Sequence, residues 1–303
     1  MLKKALFLVL VMGTNAQERD QNFAELYSLE KEVSQVLPER YSEVEGLKGR
    51  ELFLALHRIT GKNYKTHSYG SAKSHMYATV DNVSGKVFTA YSGKFVKKTG
   101  KRYLEKGDEN GDGVRGDFVN CEHTWPQSKF GKSLPMVSDI HHLLPTFSKP
   151  NGMRGHWEFG IVDGGDVRYK TNYGSELGDK VFEPADPVKG NVARAIMYFY
   201  VRYHNRDIFQ KTTDEEVDNF WFKRIPQFME WSKNDVPDDW EKSRNDLVEK
   251  YQGNRNPFID YPGFVELIGV DGFKTRSERI AEDVEWLLSN GDMEVEISID
   301  EEK

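Results

Sequence analysis

Four prolines, Pro126, Pro135, Pro145 and Pro150, fall between Asp117 and Gly155. Proline fixes φ and withdraws a backbone donor, so this stretch is expected to fold as short pieces. Those pieces carry Glu122 beside His123, then Asp139, His141 and His142, then Asn151 and Arg154. Three of the eight histidines lie here. Carboxylate, carboxamide and imidazole are the groups that hold a hard cation and move protons beside it. Short segments rich in such groups read as a site rather than as core.

The patterning around the stretch gives its setting. Phe118 to His123 reads as a strand running into the site. On a straight strand Glu122 and His123 face opposite sides, so a shared role requires the chain to leave the strand at His123. Val137 to Leu144 reads as a second strand segment stopped by Pro145, and Asn151 to Trp157 as the opening of a short helix. Upstream, Arg50 to Thr60 reads as a helix ended by Gly61, Tyr64 to Met76 as a loop rich in Tyr and His, and Lys86 to Tyr91 as a strand between Ser-Gly turns. The second half is largely helical. Val192, Ala195, Ile196, Phe199, Tyr200 and Tyr203 form a stripe of helical period within Val188 to His204. Asp214 to Arg224 and Asp238 to Tyr251 make two more helices, with Pro226 at a boundary between elements. The fold class expected is α+β, and no internal repeat is evident.

At 303 residues the chain can bury one large core or two smaller ones. Lys3 and Lys4, the apolar run Ala5 to Met12 and Thr14-Asn15-Ala16 together read as a signal peptide over residues 1–16. That run is too short to span a bilayer, and no second long apolar run follows. The expectation is therefore a secreted or periplasmic protein with no membrane association. Cys121 is the only cysteine, so no intramolecular disulfide can form. A small buried strand residue is preferred for it over a catalytic thiol.

The net charge of −7 is unevenly spread. Residues 282–303 carry nine acidic side chains and one lysine, leaving the remainder close to neutral. A C-terminal acidic tail is accordingly placed at 269–303, after a domain over 17–268. Lys97, Lys98, Lys101, Arg102, Lys129, Lys132, Lys149 and Arg154 are candidates for phosphate contacts. Asp108 to Gly113 fits the first half of a calcium loop, but its twelfth position is Val119, so the full pattern fails. A plain acidic turn is preferred there, with a small cation site at Asp108, Asn110 and Asp112 as the alternative.

Five ordered blocks carry a resemblance. They are Asn120 to Ser128 (NCEHTWPQS), Asp139 to Pro145 (DIHHLLP), Pro150 to Gly155 (PNGMRG), Ala193 to Tyr198 (ARAIMY) and Gly253 to Phe258 (GNRNPF). In these the chain resembles secreted and periplasmic endonuclease I, of the ββα-metal (His-Me finger) nucleases. The resemblance implies a short β-hairpin packed on a helix, inside a mixed fold with a largely helical second half. It implies Mg²⁺-dependent cleavage of DNA, often of RNA as well, with little sequence preference and 5′-phosphate products; Mn²⁺ or Ca²⁺ are alternative ions. Glu122 and Asn151 take the place of metal ligands and His123 that of the general base. Asp139, His141 and His142 are assigned to the scaffold, with Asp139 or His142 orienting ligands by hydrogen bond. Some relatives hold the phosphate with an arginine in the loop after the Glu-His pair. Residues 124–138 offer only Lys129 and Lys132, so that role is expected of a lysine (Lys129, Lys132 or Lys149) or of Arg154. No obligate protein partner is implied. Two other readings stay open: a zinc hydrolase using His123, His141 and His142, and a secreted nucleic-acid-binding protein without catalysis. H-E-x-x-H is absent, and adjacent His141 and His142 would diverge on a strand.

Overall fold

The computed structural model describes residues 37, 39–97 and 118–273. The signal segment, the acidic loop 108–113, Lys98, Lys101, Arg102 and the tail from 274 onward lie outside the described residues. Residues 39–44 form a 3-10 turn in a first compact unit, with Tyr41 and Val44 buried. Everything below belongs to the second unit, which begins at Gly46.

Helix α1 (Gly49–Gly61) buries Leu52, Phe53, Leu54, Ala55 and Leu56, and leaves Glu51 and Arg58 outside. The stretch read as a Tyr- and His-rich loop instead contains helix α2 (Tyr69–His75) and a π turn (Met76–Val80). Ser68 starts α2 by accepting from the Ser71 amide at 3.2 Å, a local cap that satisfies an end donor. Strands β1 (Asn82–Val83), β2 (Lys86–Thr89) and β3 (Lys94–Lys97) form an antiparallel meander.

The proline-rich stretch supplies β4 (Val119–His123), β5 (Leu143–Phe147) and α3 (Ser148–Arg154). Strands β4 and β5 pair antiparallel with Cys121 opposite Pro145 and His123 opposite Leu143. Pro145 does not stop the strand, as expected from sequence, but sits in its middle. Hydrogen bonds from Ser148 to Phe118 and from Thr124 to His142 fix which pairs carry the ladder. Such pairs alternate, so Cys121 and Pro145 fall at a non-bonded position and the missing N–H costs no ladder bond. The Pro145 carbonyl faces the other way and accepts from Ala90 at 2.8 Å. Residues 136–142 are two 3-10 turns, Met136–Ser138 and Ile140–His142, rather than strand. Asp139 imposes the second by accepting from the His141 amide. Helix α3 starts three residues earlier than expected. Pro150 fits its first turn, where no intrahelical donor is needed.

A four-stranded sheet follows, of order β6 (Glu158–Phe159), β9 (Val181–Glu183), β8 (Glu176–Leu177), β7 (Tyr169–Lys170). Helix α4 (Lys189–Tyr203) comes next, and residues 192 to 201 are all buried. It carries no one-sided stripe because α1, α6 (Ile225–Asn234) and the Ile140–His142 turn pack around it. Trp125, just past β4, stacks on Phe199 of α4 at 5.1 Å between ring centroids and donates its indole N–H to Ile208. Helix α5 (Asp214–Phe220) opens with a Thr213–Glu216 capping box. Pro226 lies in the first turn of α6. Helix α7 (Asp239–Gln252) is capped by Asp238 and ended by Gly253 at φ +85°. Helices α8 (Pro257–Asp260) and α9 (Phe264–Gly272) close the described chain. Phe273 is buried, with its ring 5.6 Å from that of Phe53. The packed chain thus runs to at least residue 273, past the boundary expected at 268, because this aromatic completes the α1–α4 core. No helix among the described residues is long and apolar enough to cross a membrane.

Candidate active site

The hairpin and α3 meet through one guanidinium. Arg154 is fully buried. Its Nη1 donates to Glu122 Oε1 at 2.7 Å and to the His123 carbonyl at 2.8 Å, and its Nη2 to the Thr124 carbonyl at 2.7 Å. The guanidinium also lies over the Phe159 ring. Arg154 was expected among the phosphate-binding cations. It instead forms an internal brace, because the carbonyls at the end of β4 and the Glu122 carboxylate engage its Nη1 and Nη2, while Nε is buried without a partner. Asn151 lies one turn earlier on the same face of α3 and donates from Nδ2 to the Cys121 carbonyl at 3.3 Å. It is the fourth residue of the helix, with Phe147 at the cap position, so a capping role for Asn151 is excluded.

Glu122 is 2% exposed. Its Oε1 also accepts from the Tyr91 hydroxyl at 3.0 Å, while Oε2 carries no hydrogen bond. Burial pushes the Glu122 pKa up to about 7, against the opposing pull of Arg154 and Tyr91. Burial, the Glu122 charge and the hydrogen bond together drive the Tyr91 phenol well above its usual range, so it stays a donor. The brace orients one carboxylate oxygen and leaves the other open.

His123 is the last residue of β4. Its side chain faces a different set of neighbours: Tyr69 at 5.4 Å between ring centroids, His142 at 5.2 Å and Phe130 at 6.3 Å. Nε2 lies 3.1 Å from the Val137 carbonyl, which can only accept, so Nε2 carries the proton and Nδ1 is left with a lone pair. Nδ1 is buried without a partner. Burial, reinforced by His142, lowers the His123 pKa well below its ordinary value, so the imidazole is neutral near pH 7. His141 and His142 show the same pattern, with Nε2 on the Asn254 and Met136 carbonyls and Nδ1 unpartnered. The orphaned nitrogen therefore does not by itself single out His123; its place next to Glu122 in the sequence does, although the chain stays in β4 through His123 rather than leaving the strand there as a shared role was expected to require.

Asp139 orients neither Glu122 nor Asn151. It accepts from the His141 amide and Gln252 on Oδ1 and from Tyr198 and Tyr203 on Oδ2. Gln252 and Tyr198 both reach Asn254, which joins three of the sequence blocks in one buried network. Arg244 adds a bidentate pair with Asp81 and donates to the Ile140 and Leu143 carbonyls. His142 touches His123 only through its ring. These residues join one buried network and hold the ligand-type side chains by no hydrogen bond. Tyr91 and Arg154 do that instead. Tyr91 could be found only through the fold, since it comes from a separate sheet.

Burial holds His141 and His142 to pKa values of about 4, against an unfolded value of 6.5, with Asp139 opposing the shift. The unfolded chain thus takes up protons first as pH falls. Stability present above pH 6.5 should be lost progressively toward pH 4, by up to about 3 kcal/mol for each imidazole. Glu122, raised to about 7, takes up its proton first in the folded state and offsets part of this loss over the same range. Urea midpoints between pH 7 and 4.5 are therefore compared with those of His142→Gln, and an identical pH dependence in the two would refute the histidine contribution.

Among the described residues, no three His, Cys, Asp or Glu side chains converge to hold a metal ion. His141 and His142 point to carbonyls on different segments, as the zinc reading could not accommodate. The donor set at the hairpin is different: one open carboxylate oxygen on Glu122 and the Asn151 carboxamide oxygen, whose amide nitrogen is tied to the neighbouring Cys121 carbonyl. Two hard oxygens with a single formal charge suit Mg²⁺, which keeps several waters. Cys121 is buried in the strand, as expected.

Of the remaining candidates, Lys129 is half-buried with Nζ 4.5 Å over the Phe220 ring. Lys149 is exposed, 6.0 Å from the Tyr169 ring, and Lys132 is exposed in the turn after Gly131. No hydrogen bond or ion pair joins the three to Glu122, His123 or Asn151.

Residues 49–263 match the endonuclease I family, and the chain belongs to it. It is similar to the extracellular ribonuclease of Bacillus amyloliquefaciens, at 33% identity over 239 residues, covering 75% of this chain and 77% of the relative. It is also similar to the extracellular ribonuclease of Bacillus subtilis (strain 168), at 34% over 168 residues, covering 52% of this chain and 56% of that one. The protein is a nuclease, hydrolysing phosphodiester bonds of nucleic acid.

Proposed function

We propose that this chain is a secreted, Mg²⁺-dependent endonuclease of the ββα-metal type, acting on DNA and RNA with little sequence preference. The carrying observation is the hairpin-helix arrangement. Arg154 and Tyr91 hold one oxygen of Glu122, Asn151 is tied to the same strand, and His123 ends that strand with Nε2 fixed and Nδ1 unprotonated. Two named extracellular ribonucleases among the relatives support secretion and RNA as substrate, and the signal-type residues 1–16 support export.

In this reading Glu122 and Asn151 hold the ion. When bound, Mg²⁺ would neutralise a non-bridging phosphate oxygen and charge developing on the leaving 3′ oxygen. His123 takes the proton of a water aligned opposite that leaving oxygen, which it can do because its imidazole is neutral. The Val137 carbonyl fixes the tautomer and aims the lone pair. The product carries a 5′ phosphate. The enclosure of His123 limits bulk water around the base.

Asn151 gives the test. Asn151→Ala should abolish cleavage of plasmid DNA and of RNA at any Mg²⁺ concentration, and Asn151→Asp should shift the concentration needed for half-maximal rate. Wild-type Mg²⁺ titrations for both variants would overturn the metal assignment.

A further inference from the structure

A cleft of about 650 Å³ opens past the ends of β4 and α3. The two elements run side by side toward it. Asn151 meets Cys121, Arg154 meets Glu122, His123 and Thr124, and the residues that follow on both segments line the cleft. Lys129, in the turn Gln127–Lys129, stands six positions after His123, and Trp157 six after Asn151. Glu122, His123 and Asn151 do not line the cleft themselves. They are close to it, however. The Trp157 amide donates to the Arg154 carbonyl at 3.0 Å. With 1.5 Å per residue along α3 and at most about 3.5 Å per residue after it, the Trp157 backbone lies within about 15 Å of Asn151, a reach of a few nucleotides of strand. Burial lowers the Lys129 pKa, and the charges that act on it include Glu216 in the cleft and Arg154 in the brace.

The lining mixes three kinds of group. Trp157 is half-buried, its ring 4.8 Å from that of the exposed His156, and its indole N–H has no partner among the described residues. Lys180, in the turn between β8 and β9, and Lys211, just before α5, are exposed and free of ion pairs among the described residues. Both hold positive φ, +68° and +55°. A side chain in that region costs free energy that glycine would not. Three carboxylates complete the lining. Glu158 is paired with Arg224 at 2.9 Å, Glu216 is held ionised by hydrogen bonds from Thr213, and Glu215 is exposed. A run of phosphates would meet repulsion from these carboxylates. A single nucleotide would not. It has one phosphate for the ammonium groups, a π face for the indole, and N–H donors on its base that a carboxylate can accept. The volume is that of an ordinary small-molecule site.

We propose that this cleft is a subsite for one unpaired nucleotide of the substrate strand, with its base stacked on Trp157 and its phosphate held by Lys180 and Lys211. The inference rests on cleavage at Glu122, His123 and Asn151, and adds where the strand goes on leaving them. The nucleotide must be unpaired, because a base inside a duplex already has both faces covered by its neighbours. Single-stranded RNA or DNA therefore gains binding from the cleft, and a closed duplex does not. Contact with a part of the substrate that does not react strengthens the ground state and the transition state alike, so the cleft acts on KM rather than on kcat.

Full-length Trp157→Ala, Trp157→Phe and the double variant Lys180→Gly with Lys211→Gly are compared with the parent, and melting temperature is measured on each. Kd for a labelled single-stranded oligonucleotide and for its duplex is read by fluorescence anisotropy in the His123→Ala background; kcat and KM are read with His123 in place. Trp157→Ala should raise Kd and KM on the single strand by about tenfold or more, the usual weight of one stacked base. Its duplex Kd should match that of the parent. Trp157→Phe keeps a ring and should recover most of the loss. The glycine pair suits the backbone at both positions, so its melting temperature should stay within a few degrees, while the slope of log affinity against log salt falls by about 0.7 to 1.4, one or two phosphate contacts. Parental Kd and KM in Trp157→Ala, with His123→Ala inactive, would overturn the inference and leave the proposed function standing. An equal loss on duplex, or a loss that tracks the melting temperature and is not rescued by phenylalanine, would also overturn it. Cleavage retained in His123→Ala would remove the reading on which the inference rests, and the inference with it.

Discussion

Replacing His123 by alanine is expected to lower phosphodiester cleavage by at least about 10²-fold, the ordinary contribution of a positioned general base. The fold should survive. The side chain makes one hydrogen bond, to the Val137 carbonyl, and its other contacts are ring packing. Metal affinity should also survive, since Glu122 and Asn151 are untouched. The pH profile carries the same information. Burial and then His142 place the His123 pKa well below its ordinary value, and a base works only when unprotonated. The limb of kcat that belongs to His123 should therefore fall on the acid side, well below pH 6.5, in saturating metal. Turnover near wild type in a folded His123→Ala protein would remove this residue from the mechanism.

Replacing Arg154 by methionine is expected to be the most destabilising single change at the site. Arg154 and Glu122 are 0% and 2% exposed, so solvent screening does little to moderate the pair. Removing the guanidinium strands a buried carboxylate and leaves the His123 and Thr124 carbonyls short of a donor. Breaking a buried pair in this way costs about 3–5 kcal/mol. Neutralising the stranded partner should return part of that. Arg154→Met combined with Glu122→Gln should be more stable than Arg154→Met alone, a coupling that a double-mutant cycle in urea would measure. A loss under about 1 kcal/mol for Arg154→Met would contradict the brace. A large fall in the salt slope of substrate binding, with stability intact, would return Arg154 to the phosphate.

Arg154 also shows where the sequence is silent. It was legible as a basic residue near a site, and basic residues near a nuclease site read as phosphate contacts. Its burial depends on Glu122, 32 positions away, and on the carbonyls at the end of β4. Neither is visible before the hairpin is closed. The spacing of Asn151 and Arg154 did hold a usable signal, because residues three apart share one face of a helix. Pro145 was misread for a similar reason: whether a proline ends a strand or sits inside it depends on pairing register, and register is set by the partner strand. The 3-10 turns at 136–142 follow from Asp139 capping its own segment, where apolar spacing alone suggested a strand. By contrast β4, α4 and α7 stood close to their expected bounds, whereas α5 ends at Phe220, four residues short of the expected Arg224, with Phe222–Arg224 a separate 3-10 turn. Tyr69 and Tyr91 were missed because tyrosines are common in cores and nothing local ties them to Glu122 or His123.

Ion binding without turnover tests the central claim most directly. In full-length His123→Ala protein, which leaves both proposed ligands in place, Mn²⁺ titrated by electron paramagnetic resonance reports affinity with no chemistry in the readout. One site should be occupied, and adding Asn151→Ala should weaken it by tenfold or more while the melting temperature stays within a few degrees. Unchanged Mn²⁺ affinity in the Asn151→Ala variant would contradict the account, because the hairpin and α3 would then not share an ion.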